Sequence, residues 1–297
     1  MSDVFFNTSY RFQLEHSMRN FSLIVATRNR PENLKRLFAT LREQTFKDFE
    51  VIVVDQSDSL LSPVVEEVVN SSGLNAIYLR DTGKGLSRAR NIGLEKATGK
   101  IWAFPDDDCW YAPNLLEQVA NIFKCDRDLV LLSGIYTEPG RWNPRFPRKW
   151  SYINLWNVFV CISSVTIFVR SDILGNIRFN EHIGVGTDLP SAEEIDFVIK
   201  ILARGYKGVY DPSLIVYHEI ERASNTIPEH VIKRERANAY VLMSNALRCR
   251  AFLLWLKLMG QVGKGLVRAF RTDWGRDVFK ARWEGYRLAL TENRNVR

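Results

Sequence analysis

The chain has no uninterrupted apolar run of about 18 residues, the length that a bilayer-spanning helix requires. The nearest stretch, Phe252 to Met259, is short, contains Lys257 and runs on into glycines. The opening residues, MSDVFFNTSYRFQLEHSMRN, lack the basic-then-apolar order of a secretory signal, so the expected compartment is the cytoplasm. Cysteine is scarce. Cys109, Cys125, Cys161 and Cys249 fall without CxxC spacing, which favours reduced thiols over a disulfide frame or a zinc site. A glycine-rich phosphate loop is missing too: GKG at Gly83 to Gly85 has neither the glycine spacing nor the Ser/Thr after lysine, and ATP hydrolysis is not indicated.

What is present fits a folded protein. Hydrophobic residues at 46% and charged ones at 25% match ordinary globular usage, and 297 residues suffice for one large α/β domain with an appendage. The net charge of +7 is unevenly spread: residues 231 to 297 hold 15 Lys/Arg against 5 Asp/Glu, whereas the rest hold 26 against 29. A near-neutral body with a basic tail is drawn, through the tail, to anionic phospholipid or nucleic acid. No nucleic-acid reading module accompanies the charge, which disfavours the second partner.

From Phe21 onward short apolar runs alternate with amphipathic stretches, the pattern of a mostly parallel sheet with crossover helices. FSLIVA reads as the first strand, FEVIVVD as the second, Ala76 to Leu79 as a weaker third and IWAFP as a fourth. Pro31 suits the first turn of a helix whose Leu34, Leu37, Phe38 and Leu41 face the sheet. Later come a strand in SSVTIFVR, a helix from SAEEIDFVIKIL and a last strand in LIVYHE, with the body ending near Arg222. Between them a segment rich in Trp142, Phe146, Trp150, Tyr152 and Trp156 reads as a wall on the acceptor side. Thr27, Arg28, Asp55 and the run Asp106, Asp107, Asp108 all end strands, and in open α/β sheets ligands bind at that edge.

Three consecutive carboxylates leaving a buried strand repel one another unless a cation or donors compensate. Hard oxygen ligands suit Mg²⁺ or Mn²⁺; the competing reading is a solvated acidic turn capping the next helix.

TRNRPENLKRL, EVIVVDQSD, GLSRARNIGLEKATGK, FPDDDCW and AEEIDF, in this order across roughly residues 21 to 220, resemble family 2 glycosyltransferases. The resemblance implies a GT-A fold, a nucleoside-diphosphate sugar donor, a UDP-sugar foremost, and inversion at the anomeric carbon. It makes the aspartate run a DxD motif, with Asp108 a direct metal ligand and Asp106 and Asp107 touching metal, ribose or sugar. Asp55 would accept a hydrogen bond from the base, Thr27 and Arg28 would line the nucleotide, and Lys84 and Arg90 would approach base or phosphates. His218 would be a further metal or diphosphate contact. Bland readings stand beside these: Asp55 as a turn residue, Arg88 and Arg90 as a solvated helix face, His218 as a structural histidine.

AEEIDF resembles the family's acidic pair, whose second acid deprotonates the acceptor hydroxyl. Here that acid is Glu194, where the family usually has aspartate, with Glu193 as the alternative. Ser191 followed by Glu194 also fits a capping box. At a helix N-terminus the carboxylate is expected to stay ionised, as a weak base.

In the tail, Phe279, Trp283, Tyr286 and Leu290 form a helical stripe among Arg276, Lys280, Arg282 and Arg287. Such a stripe suits an interfacial helix on an anionic inner leaflet, or packing on the catalytic body or a second subunit. The reading is therefore an N-terminal extension (1–20), a GT-A domain (21–222) and a basic helical tail (223–297). The function it implies is transfer of a sugar to a glycan or lipid-linked hydroxyl. A sugar nucleotidyltransferase and a non-catalytic carbohydrate-binding protein are the rivals; the first should carry a Gly-rich loop near its first strand, which TRNRPENL lacks.

Overall fold

The computed structural model describes residues 20–220, 229–249 and 251–295. The expected N-terminal extension before Asn20 and the expected boundary at 222/223 lie outside them. The strands are β1 (Phe21–Thr27), β2 (Phe49–Asp55), β3 (Ala76–Arg80), β4 (Ile101–Ala103), β5 (Trp110–Tyr111), β6 (Leu129–Thr137), β7 (Ser151–Ile153), β8 (Ile167–Arg170) and β9 (Lys207–Tyr217). They form one sheet in the order β3-β2-β1-β4-β8-β6-β9-β5, with β7 also paired to β9. β3, β2, β1 and β4 are parallel, β8 enters antiparallel, and β6 and β9 resume the first direction. The C-terminal ends of β1, β2, β4 and β9 therefore share one rim.

β1 and β2 are almost continuously apolar because helices cover both faces of the sheet. Along β1, Leu23 and Val25 join one buried cluster and Ile24 the other, as the alternation of a strand requires. Helices α1 (Pro31–Arg42), α2 (Ser62–Asn70) and, beyond α3 (Leu86–Leu94), α4 (Leu115–Cys125) supply the first layer. Pro31 opens α1 as expected, and Leu34, Leu37, Phe38 and Leu41 are buried. The opposite layer holds α3, the one-turn α5 (Val158–Cys161), the short α6 (Ser171–Leu174) and α7 (Glu193–Leu202).

β5, β6 and β7 have no counterpart in the sequence reading, and β8 and β9 differ from it in extent. SSVTIFVR is extended only from Ile167, since Ser164–Thr166 form a 3-10 turn. β9, expected in LIVYHE, starts earlier, at Lys207, and runs through Asp211, Pro212 and Ser213. The β6–β9 ladder shifts register between Ser133 and Ile135, where Gly134, lacking a Cβ, lets the Leu214 backbone close in. A bulge at this point absorbs Pro212, which has no N–H to give.

The tail is helical: α8 (Glu229–Cys249), α9 (Phe252–Arg271) and α10 (Asp273–Asn295). Tyr240, Leu242, Leu254, Leu258, Tyr286 and Ala289 share a buried cluster with Ile195 and Phe197 of α7. Asn245 Nδ2 donates to Asp196 Oδ1 at 2.9 Å, and Arg282 pairs with Glu235 at 2.7 Å. The stripe expected on α10 is split accordingly: Tyr286 is buried, while Trp283 and Leu290 remain exposed. No described helix is long and apolar enough to cross a membrane.

Candidate active site

At the shared rim lies a cavity of 430 Å³ lined by, among others, Thr27, Arg28, Arg30, Gln56, Gly85, the three aspartates and His218. Each element contributes for a local reason. β1 ends at Thr27, whose Oγ1 donates to Asp107 Oδ2 at 2.8 Å. After it Asn29 takes a positive φ of 59°, held by the Ser57 hydroxyl and the Asp58 amide. That turn brings Arg30 Nη1 within 3.2 Å of Asp107 and 3.0 Å of Asp108. The solvated acidic turn is thus not what forms: two of the three carboxylates have a guanidinium, and the third has another.

That third carboxylate, Asp106, accepts from Arg90 at 2.9 Å, and the other side of the same guanidinium holds Glu193 at 2.9 Å. Arg90 is 1% exposed and rests over the Phe179 ring at 5.4 Å. Where the sequence suggested a solvated helix face or a reach towards the phosphates, the structure buries Arg90 as a clamp between the aspartate run and the acidic pair. An arginine within an amphipathic helix does not announce which way it points.

Loss of solvation pushes Asp107 up to about 6 and holds Asp106 above the ordinary carboxylate range, although Arg90 opposes the second shift. Asp108 moves the other way. Its hydrogen bond with His218 Nε2, 3.2 Å away, holds it below the usual range and raises His218 to about 9. His218 follows directly on β9 and stacks edge-on with Tyr136.

Glu194 lies in the first turn of α7, whose N-cap is Ala192 in the left-handed region at φ 70°, with no side-chain cap. The capping box of Ser191 and Glu194 does not form. Nor is Glu194 the weak, fully ionised base expected of a helix N-terminus: burial and the neighbouring Glu193 push it up to about 7, against the pull of Arg145. Arg145 was not singled out from the sequence; it is tied to the Ile162 carbonyl at 2.9 Å within the aromatic wall. Arg30 was missed as well, and its signal was its place in the turn between β1 and Pro31.

Asp55 is fully buried. Its Oδ1 accepts from the Ser57 amide at 2.8 Å, Oδ2 from the Tyr78 hydroxyl at 2.9 Å, and the neighbouring Gln56 faces the cavity. Lys84 is exposed beside Gly85 and does not line the cavity. Gly85 is the N-cap of α3 at φ 121°, and a Cβ on Gly186 would meet the Gly85 backbone at 3.1 Å. Gly85 and Leu86 line the cavity, so the N-terminal end of α3 borders it, with the Gly85 amide held by Gln56 Oε1 and the Leu86 amide by the Val185 carbonyl.

Among the described residues no three His, Cys, Asp or Glu side chains are gathered as a metal cage. Asp108 and His218 face each other at 3.2 Å and offer the oxygen and, once deprotonated, nitrogen donors that a divalent cation would need. Mg²⁺ and Mn²⁺ sites typically use one or two protein ligands and fill the rest from phosphate and water.

A mostly parallel α/β sheet of this order, with an acidic crevice at the C-terminal rim of its strands, is the GT-A fold. Comparison with known proteins is specific: residues 22–183 match the model for glycosyl transferase family 2, and the chain belongs to that family. A putative glycosyltransferase, EpsH, of Bacillus subtilis is 31% identical over 110 residues, 37% of this chain and 32% of that protein. Staphylococcus aureus TarS 1-349 in complex with UDP-GlcNAc superposes with a TM-score of 0.57 at 23% identity, covering 75% of this chain and 66% of that one. The mannosyltransferase PcManGT of Pyrobaculum calidifontis, in complex with GDP-Man and Mn²⁺, gives 0.64 at 15% identity, covering 96% and 82%. The two structures establish a common fold. The chain spans 32%, 20% and 61% of three curated relatives it matches.

Proposed function

We propose that this chain is an inverting glycosyltransferase that moves a sugar from a nucleoside-diphosphate donor, a UDP-sugar foremost, to a hydroxyl of a glycan or lipid-linked acceptor. The observation that carries the reading is the ion-paired chain from Asp106 through Arg90 to Glu193, which joins the rim of the cavity to the acidic pair of α7. Thr27, Arg28 and Arg30 line the nucleotide side, with Asp55 ordering the turn that presents Gln56, while Lys84 stands outside the cavity lining. The N-terminal end of α3, which borders the cavity at Gly85 and Leu86, lies on the phosphate side of this reading. Asp108 and His218, with Asp106 beside them, would hold Mn²⁺ or Mg²⁺, and the ion would supply positive charge against the departing diphosphate.

Glu193 is held by Arg90, so Glu194 is the carboxylate free to work as base, and a pKa near neutrality suits that task. The acceptor oxygen attacks the anomeric carbon from the face opposite the diphosphate, and Glu194 takes its proton. A new C–O bond forms as the bond to the diphosphate oxygen breaks, and the nucleoside diphosphate leaves with the electron pair. The extra methylene of Glu194 relative to aspartate lengthens its reach from α7. A location at the inner face of the membrane accords with the basic tail.

Thermal shift with UDP, GDP and TDP, with and without Mn²⁺, tests the donor side, because a ligand of the native state raises its melting temperature. One nucleotide should stabilise the protein more with Mn²⁺ than without, and Asp108→Ala should lose that increment while keeping the metal-free one. Retention of the increment moves the metal elsewhere.

A further inference from the structure

Helix α9 carries two apolar faces, and the fold uses one. Leu254 and Leu258 are turned inward and buried. Phe252, Leu256, Met259 and Val267 fall on the opposite side at helical spacing, and all are exposed, Phe252 by 72% and Met259 by 68%. A second apolar face has no reason within the fold and marks an interaction surface. The 20 residues of α9 include no Asp or Glu, but they do include Lys257, Lys264, Arg268 and Arg271.

A second element extends this surface. The Lys257 ammonium donates to the Trp156 carbonyl and lies 4.8 Å from the Phe159 ring, which ties α9 to the aromatic wall. Trp150, Tyr152 and Trp156 of that wall are each more than half exposed. Exposed Trp and Tyr beside an apolar row, with cations and no anions along the helix, is the composition of an interface helix lying on acidic headgroups. The apolar row flanked by exposed aromatic rings, more than the charge, favours headgroups over an acidic protein surface.

We infer that α9 and the Trp150–Trp156 wall form a docking surface for an anionic lipid bilayer, with α9 lying along the headgroup boundary. This places the membrane contact on α9 and the wall rather than on the α10 stripe, whose Tyr286 is buried and whose Arg282 is paired with Glu235. The docking itself does not depend on the catalytic reading. Its consequence does: the wall also carries Arg145, within electrostatic range of Glu194, so a docked enzyme would present its acceptor side to lipid-linked hydroxyls.

Sedimentation of the full chain with phosphatidylcholine vesicles, with and without phosphatidylglycerol, tests the inference. The protein should bind the mixed vesicles and bind pure phosphatidylcholine much more weakly. Leu256→Glu combined with Met259→Glu should weaken binding by about tenfold or more while leaving the far-UV spectrum and melting temperature in place. Trp283→Glu on α10 should bind as the parent does. Absence of binding by the parent, or undiminished binding by the double variant, overturns the inference. So does lipid-independent self-association that the double variant abolishes, since the face would then belong to a second copy. Transfer to a water-soluble acceptor is read in parallel: its persistence in the double variant is the expected result, and its absence from the parent bears on the catalytic reading alone.

Discussion

Arg90 neutralises two carboxylates from separate segments while excluded from water, so its removal leaves Glu193 buried and unpaired and Asp106 without its partner at the rim. Arg90→Met should cost about 3–5 kcal/mol of stability, measured by urea unfolding, a size expected when one partner of a buried ion pair is deleted. Arg90→Lys keeps the charge but loses the planar fork that reaches Asp106 and Glu193 at once, and should fall between. Glu194 makes a different prediction. A carboxyl held at about 7 is protonated below that pH and cannot accept a proton, so kcat/KM should climb as pH rises through about 7 and level off above it. Glu194→Gln should lower kcat by about 10²- to 10⁴-fold and remove the inflection while leaving nucleotide stabilisation intact. A variant that keeps the parent's rate shifts the base to Glu193. The identities of these residues were legible in the sequence because carboxylates at strand and helix ends are few. Their partners were not: Asp106 and Glu193 are brought together only through a side chain far from each in the chain.

At the scale of elements, the helices and strands nearest the site follow the sequence pattern closely. β1 and β2 carry near-continuous apolar runs and α1 apolar residues at a period of 3.6, and nothing in the tertiary structure opposes them. β9 is the counter-example, because Asp-Pro-Ser signals a turn locally and only the approach of the Leu214 backbone to Gly134 makes it a bulge. The turn into α3 depends on Gly85 at φ 121°, a conformation L side chains rarely adopt. Gly85→Ala should therefore destabilise the protein by about 1–3 kcal/mol and weaken nucleotide binding, because the strain falls where the helix end meets the cavity. Denaturant unfolding and nucleotide titration of the same variant check both halves.

At the scale of the molecule, the tail is part of the catalytic body. Tyr240, Leu254 and Tyr286 share a buried cluster with α7, so a chain ending at residue 228 would open that cluster to water. It should be recovered poorly or melt well below the full chain, as scanning calorimetry would show; an unchanged melting temperature would make the tail a separate unit. Composition and periodicity already determined an α/β sheet with acidic residues at its C-terminal rim and a basic helical tail, because these properties repeat along the chain and need no distant partner. Which arginine neutralises which carboxylate, which glutamate is left free, and which tail helix keeps an apolar face in water were decided by packing alone. Each depends on side-chain direction and on neighbours brought close by the sheet order, and local pattern encodes neither.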